Sequence, residues 1–309
     1  MTLQIAVPPR SLGPRRAASH LADLLAAAGF SARLVDHPER DGRLNAHLSN
    51  SSRSLLLPLA RRRGCLVTLH DVVPRNSRVH KGLSPVVLRV LRRHRVVVHS
   101  RHAVDLLREN GFDGRVGIVP LRLPVEPPPE DVRQAERARL LRGRGGNLLV
   151  AAGLLRAAKG VDELIHVAGT LPDSGFVLLG TIADSATATA LRRAPDNVTL
   201  VENPDDPTFS LVLAAADAVL LLRRSSVGET SGPLVMAHAL GTPVALLDSG
   251  SAPEYAVPKD LLLPADAPLS QFLKEASARS WERVPVSVDD QRTALVAAYR
   301  REFESLGWI

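Results

Sequence analysis

Two stretches of this chain combine cations, hydroxyls and glycines at spacings suited to holding an anion. The first, Gly153-Leu-Leu-Arg-Ala-Ala-Lys-Gly160, follows an apolar run at 147–152 and precedes an amphipathic stretch that begins Val161-Asp-Glu-Leu-Ile. Its two cations, Arg156 and Lys159, stand just ahead of a predicted helix. The second, Glu229-Thr-Ser-Gly-Pro-Leu234, follows another apolar run at 216–222, and Gly241-Thr-Pro-Val244 comes shortly after it. The first N–H groups of a helix have no intrahelical partner and lie at the positive end of its dipole, which favours phosphate at both places. Two such devices imply one diphosphate held by both. Ser231, Gly232 and Pro233 are predicted to open a helix running to about Leu240, capped by Thr230 or Ser231, with Gly232 letting backbone approach a ligand closely.

The elements that must position these residues alternate between short apolar runs and segments of helical period, the pattern of βαβ units and parallel sheets. Strands are expected at 3–7, 31–35, 66–70, 96–100 and 117–120, then at 147–152, 176–180, 198–201, 218–222 and 244–247. Helices are expected at 16–28 and 289–305. Between the two strand series, a proline-rich run at 124–129 and an Arg/Gly tract at 142–146 bracket a short charged helix, which reads as a linker over 125–146. It separates a domain at 1–124 from one at 147–285. The loop from Pro8 to Arg16 occupies the first βα turn but lacks the Gly-x-Gly-x-x-Gly spacing of a dinucleotide site.

With these motifs the chain resembles the retaining nucleotide-sugar glycosyltransferases of family 4, the group 1 type. Their second domain carries a glycine, a short basic loop and Lys-Gly-Val-Asp, then Glu-x-x-Gly-x-Pro, then Ala-x-Ala-x-Gly-Thr-Pro-Val. Here those read Gly153 to Lys159-Gly160-Val161-Asp162, Glu229-Thr-Ser-Gly232-Pro233, and Ala237-His-Ala-Leu-Gly241-Thr-Pro-Val244. A weaker likeness covers Val67-Thr-Leu-His-Asp71 and Val98-His-Ser100. The resemblance implies an α/β GT-B fold, two Rossmann-like domains facing across a cleft, with 286–309 crossing back onto the first. It implies retaining, metal-independent transfer of a sugar from a nucleotide-diphosphate sugar, UDP- or GDP-linked, to a hydroxyl of a small-molecule, glycan or lipid-linked acceptor, with no further cofactor. It assigns His70, Glu229 and Lys159 to catalysis, and Arg156, Lys159, Thr230, Ser231, Gly232, Pro233 and Leu234 to the donor's phosphates and sugar. Gly180 would lie against the nucleotide.

Two positions depart from the family pattern. Leu154 stands where an arginine usually follows the first glycine, so that Arg156 must substitute for it. Met236 stands where a second glutamate usually bonds the ribose. Alignment on Gly-Thr-Pro-Val also places Gly228, not Glu229, at the first glutamate, leaving that loop's register open by one residue. A catalytically impaired relative that binds a nucleotide or a partner protein is therefore the alternative to an active transferase. A non-glycosyl α/β protein matching by chance is the third reading.

His70 ends an apolar run, so it is expected at the carboxyl edge of a parallel strand, where open α/β sheets place ligands. Taken alone, such a histidine is structural more often than catalytic; the resemblance reverses that and places it against the transferred sugar. Asp71 reads as a cap for the following turn. No Asp-x-Asp pair ends a strand, Asp205-Asp206 and Asp289-Asp290 fall in predicted loops or helix starts, and the histidines lack zinc spacing, so no metal is expected. A hydrolytic carboxylate pair is not identifiable.

At 309 residues and 45% hydrophobic composition the chain is long enough for two cores. Its single cysteine, Cys65, excludes an internal disulfide and fits a reducing compartment. Neither a signal peptide nor a bilayer-spanning run is read, so a cytoplasmic place is expected, with peripheral contact at the inner face of a membrane as its variant. The formal charge of +7 is carried almost wholly by arginine, with lysine only at 81, 159, 259 and 274. With 3% aromatics and no interleaved basic motif, nucleic acid is not expected as a partner. Basic residues cluster at 61–63 and at Arg89, Arg92, Arg93, His94 and Arg95. They form either a solvated helix face or a surface for an anionic acceptor or membrane.

Overall fold

The structure, a computed structural model, describes residues 2–8, 12–39, 42–48, 55–72, 85–224 and 228–309. Lys81 and residues 9–11 of the Pro8–Arg16 loop lie outside them. The chain divides into two units: Met1–Pro124 with Ser226–Thr230 and Asp289–Ile309, and Val125–Ser225 with Ser231–Val288.

In the first unit the order is β1 (Leu3–Ala6), α1 (Leu12–Ala27), β2 (Ala32–Val35), β3 (Arg43–Leu48), α2 (Leu56–Ala60), β4 (Leu66–Leu69), α3 (Pro85–Leu91), β5 (Arg95–Val98), α4 (Arg101–Glu109) and β6 (Val116–Ile118). Among the described residues these strands make one six-stranded parallel sheet in the order β2-β1-β3-β4-β5-β6. Strands β1, β4 and β5 are short and mostly Val, Leu, Ile and Ala, each with one polar residue (Gln4, Thr68 and Arg95), as expected of strands covered on both faces. Strand β3 was not expected. Its sequence, Arg-Leu-Asn-Ala-His-Leu, breaks the apolar run with Asn45 and His47, yet both are buried, at 0% and 2% exposure. Ser100, in the Val98-His-Ser100 segment, caps α4 by accepting the Ala103 N–H at 3.1 Å.

The second unit opens with α5 (Glu130–Leu141), then β7 (Leu148–Leu155), α6 (Val161–Ala168), β8 (Gly175–Ile182), α7 (Ser185–Leu191), β9 (Val198–Glu202), α8 (Asp206–Ala215), β10 (Ala218–Leu221), α9 (Gly232–Ala239), β11 (Val244–Leu247), α10 (Ala252–Tyr255), β12 (Leu261–Leu263) and α11 (Leu269–Ala278). Its strands, again six and parallel among the described residues, run β12-β11-β10-β7-β8-β9, so the order reverses between β7 and β10. That reversal is where open α/β sheets leave a crevice at the strands' carboxyl ends. Helix α5 groups with this unit: Leu140 and Leu141 are buried, and Arg137 grips Asp217 at 2.9 and 2.7 Å. The charged segment between the proline and glycine tracts is thus docked on the second sheet.

The last helix, α12 (Val288–Ser305), returns to the first unit. Tyr299 and Phe303 join the core made with Ile5, Leu21 and Leu25. Arg95 on β5 reaches Glu302 with Nε–Oε2 at 2.6 Å, and a Cβ at Gly117 on β6 would overlap that carboxylate. Glu302 is 7% exposed, so its loss strands a largely dehydrated guanidinium. Glu302→Ala is therefore expected to destabilise the chain by about 2–3 kcal/mol, below the usual cost of breaking a fully buried pair because water still reaches Arg95. Urea unfolding measures it; an unchanged midpoint would show that the pair does not hold α12.

Several of the clustered basic residues already have structural partners. Arg92 pairs with Asp113 at 2.5 Å, Arg93 donates to the Ala60 carbonyl at 3.0 Å, and His94 is buried against the Leu59 carbonyl and the Cys65 N–H. No helix among the described residues is long and apolar enough to cross a membrane.

Candidate functional site

The anion-binding candidates of the second unit are built from the end of β7. This strand continues past its apolar run through Gly153, Leu154 and Leu155, pairing Gly153 with Gly180 on β8. Gly153 lies at φ +109° and Gly180 at φ +142°, and a Cβ at 180 would overlap the Gly153 carbonyl oxygen. Two glycines face each other because the strands leave no room for a side chain at 180. Gly180 thus shapes the strand pair that carries the basic loop.

After extended Arg156, a single 3₁₀ turn over Ala157–Lys159 ends at Gly160, whose φ of +73° turns the chain into α6. The turn is pinned from outside. The Ala157 N–H donates to Asp184 at 3.0 Å, and the same carboxylate caps α7 through the Thr187 N–H at 2.8 Å. The Thr187 amide first, then the Ala157 amide and the nearby Arg156 charge, hold the Asp184 carboxyl below its usual range. The pinned turn returns Lys159 over β7: a Cβ at Gly153 would lie 3.8 Å from Lys159 Nζ and 3.5 Å from Pro233 Cγ. The first glycine of one motif, the lysine that closes it and the proline of the other therefore meet in one unit. Arg156 Nε is buried with no hydrogen-bond partner among the described residues.

Ser231 caps α9, its Oγ 3.5 Å from the Leu234 N–H, and Pro233 occupies the first turn. Gly232 has open space where a Cβ would stand, while Leu234 and Met236 are buried at 1% and 3% exposure. Thr230 Oγ1 is a further buried oxygen without a partner among the described residues. Glu229 is 6% exposed, and Glu229 and Thr230 group with the first unit, whereas Lys159 and Ser231 group with the second. Leu154, at the place of the family's arginine, is 46% exposed. Gly241-Thr-Pro-Val244 has a structural job. Gly241 turns at φ +73° where a Cβ would crowd the Val284 carbonyl, and the Thr242 hydroxyl donates to the Leu213 carbonyl at 3.0 Å before β11 starts.

In the first unit, His70 directly follows β4 and is half-buried at the carboxyl edge of the sheet. Its Nε2 lies 2.9 Å from Nδ1 of His47 on β3, and its ring centroid is 4.9 Å from that of His99, which follows β5. His99 Nδ1 donates to the Val119 carbonyl at 2.8 Å. With Leu21, Arg122 and Tyr299 the three histidines line one small cavity. Their rings bond and stack with one another; no three His, Cys, Asp or Glu side chains among the described residues are arranged to hold a metal ion. Sequence reading found His70 and, through the motif, His99. It missed His47 because β3 was missed, and Tyr299 because it is remote in sequence.

Burial and the neighbouring His99 hold His47 down to about 3, and burial with His99 and His47 puts His70 well below its ordinary value. Burial lowers His99 as well, against its bond to Val119. All three are therefore neutral in the folded chain at neutral pH. Since these bases charge more easily when unfolded, the unfolded state takes up more protons as pH falls below about 6.5. Stability is full above that pH and is expected to fall below it by about 1.4 kcal/mol per pH unit for each of the three rings, down toward their folded values. Chemical unfolding at stepped pH tests this; His47→Asn should remove one proton's share of the slope, and an identical slope would refute the assignment.

No family model matches the sequence, and no curated protein matches it. Solved structures do match. HepE from Anabaena in complex with UDP aligns with a TM-score of 0.71 and 15% identity over 100% of both chains. A glycosyltransferase from Rickettsia africae aligns at 0.65 and 12% over 99% of this chain and 97% of its own. Sucrose-phosphate synthase from Thermosynechococcus elongatus aligns at 0.60 and 17% over 97% and 77% respectively. The chain thus has the GT-B fold, two Rossmann-like units each built on a parallel sheet.

Proposed function

We propose that this chain is a retaining glycosyltransferase of the family 4 type, moving a sugar from a nucleoside-diphosphate donor to an acceptor hydroxyl without a metal. The observation that carries this reading is the convergence of Lys159, Gly153 and the first turn of α9 at the β7/β10 reversal. Breaking a glycosyl–phosphate bond builds negative charge on the departing phosphate, so the gain lies in groups that meet that charge as it grows. Lys159, Arg156 and the N–H groups opening α9 supply them, with Ser231 and Pro233 fixing the helix start and Gly232 leaving space for the phosphate. Glu229 orients a donor hydroxyl, Thr230 offers its unpartnered oxygen, and Gly180 keeps the floor beneath the nucleotide flat. His70 hydrogen-bonds the transferred sugar. Retention follows from attack by the acceptor on the face the phosphate leaves, the phosphate taking the acceptor's proton.

HepE's complexes with UDP and with UDP-glucose support UDP as the first nucleotide to try. A second reading, a relative that binds a nucleotide without turning it over, is favoured by Leu154 and by buried Met236, which cannot replace a ribose-bonding carboxylate. Thermal shift with UDP, GDP and their sugars, followed by donor hydrolysis, separates the two. A donor at a hundred times its dissociation constant stabilises by about 2.7 kcal/mol. Stabilisation with turnover supports transfer, stabilisation alone supports the second reading, and no shift with any nucleoside diphosphate overturns both.

A further inference from the structure

The histidine that the proposed function places against the sugar is wired, through β3, to the C-terminal helix. Thr68 Oγ1 donates to Asn45 Oδ1 at 3.0 Å, and the Tyr299 phenol oxygen lies against both side chains. With its oxygen engaged by the Thr68 hydroxyl, the Asn45 amide turns its NH2 to His47 Nε2, 3.2 Å away. An amide nitrogen only donates, so His47 Nε2 must be the bare nitrogen of a neutral ring. The proton of His47 then sits on Nδ1 and is donated across 2.9 Å to His70 Nε2. Nε2 of His70 is in turn the acceptor, and its own proton is left on Nδ1. Asn45 is 0% and His47 2% exposed, so no water competes to reverse this order.

We infer that Asn45 and His47 are positioning residues that fix His70 as the Nδ1–H tautomer, so that it meets its ligand as a neutral hydrogen-bond donor. Ligands that fit are those offering a lone pair, a sugar hydroxyl oxygen above all; this identification rests on the proposed glycosyl transfer, whereas the tautomer does not. A donor locked by neighbours needs no reorientation when charge develops on the substrate, and one pointing the wrong nitrogen would meet a hydroxyl only as an acceptor. Three buried polar side chains on β3 and β4 and a tyrosine of α12 are otherwise a costly arrangement for a sheet interior, and their satisfaction by one another in a single direction explains how they are tolerated.

The test is nitrogen NMR of the chain labelled with 15N-histidine, at neutral pH, with His47 and His70 signals identified by their loss in His47→Asn and His70→Asn. Wild-type His47 and His70 should both carry the proton on Nδ1. An Nε2–H form of His70 would mean the opposite amide orientation of Asn45 and would overturn the relay. Asn45→Leu, which keeps the volume and removes the directing amide, should leave His70 as a mixture of tautomers; an unchanged single tautomer also overturns the proposal. In sugar transfer the same variant should lower kcat about 2- to 10-fold, the ratio one net hydrogen bond controls, with KM nearly unchanged. If the tautomers mix but kcat holds, the relay stands and it is the placing of His70 against the sugar that fails. Should Asn45→Leu not fold, the wild-type spectrum alone decides the relay.

Discussion

Gly180→Ala is expected to cost about 3 kcal/mol or more and to leave little folded protein, although it adds one methyl group. Two effects combine. At φ +142° an L side chain is strained by about 1–3 kcal/mol, and a Cβ there overlaps the carbonyl oxygen of Gly153, its partner across β7 and β8. Relief requires the two longest strands of the second sheet to separate, an overpacking penalty of about another 1–3 kcal/mol. That is a large part of the roughly 5–15 kcal/mol by which a domain is stable. Gly153→Ala makes the contrast: at φ +109° it shares the backbone strain, but its Cβ would meet Pro233 and Lys159 at ordinary contact distances, so it should fold more readily and also crowd the lysine. Denaturant unfolding of both variants ranks them, and wild-type stability for Gly180→Ala would show that β8 does not need a glycine.

The resemblance assigned Gly180 to the nucleotide, and only the register shows its mechanical part. Most of the sheet was legible because parallel strands buried on both faces are predominantly apolar runs; Val244–Leu247 has the span expected of it. What failed to show had physical reasons. Strand β3 hides because its Asn45 and His47 are buried polar groups satisfied by Thr68 and His70, partners that lie on or just after β4 and leave no local pattern. The Gly153 motif reads as loop from its glycine and basic residues, yet its first three residues are strand, since ladder hydrogen bonds with β8 do not depend on side-chain type. The helix at Gly232 was legible from its cap and proline alone. Tyr299 could not be found from sequence at all, because its role is defined by a partner on β3 some 250 residues away, a contact only the fold creates.

Lys159→Ala is expected to lower kcat/KM for sugar transfer by about 100-fold or more while the chain stays folded. Its ammonium is half-buried above Gly153 and beside the first turn of α9, where positive charge from the lysine and from the helix terminus adds. One charge-assisted bond is worth about 1.5–3 kcal/mol, or roughly 10- to 150-fold, and a bond that strengthens as the phosphate departs is worth more in kcat than in binding. The fold should survive because the 3₁₀ turn is held by Gly160 and by the Ala157–Asp184 bond, neither of which involves the lysine side chain. Lys159→Arg should restore binding better than rate, since a planar fork cannot occupy the position of a compact ammonium against a single phosphate oxygen. Arg156→Ala should fall in the same direction if that guanidinium serves where Leu154 cannot. Steady-state kinetics with a nucleotide sugar, beside a melting curve for each variant, gives the answer. A folded Lys159→Ala protein turning over at the wild-type rate would remove the phosphate from this corner of the second unit, and with it the reason for two glycines, a pinned turn and an open helix start to meet there.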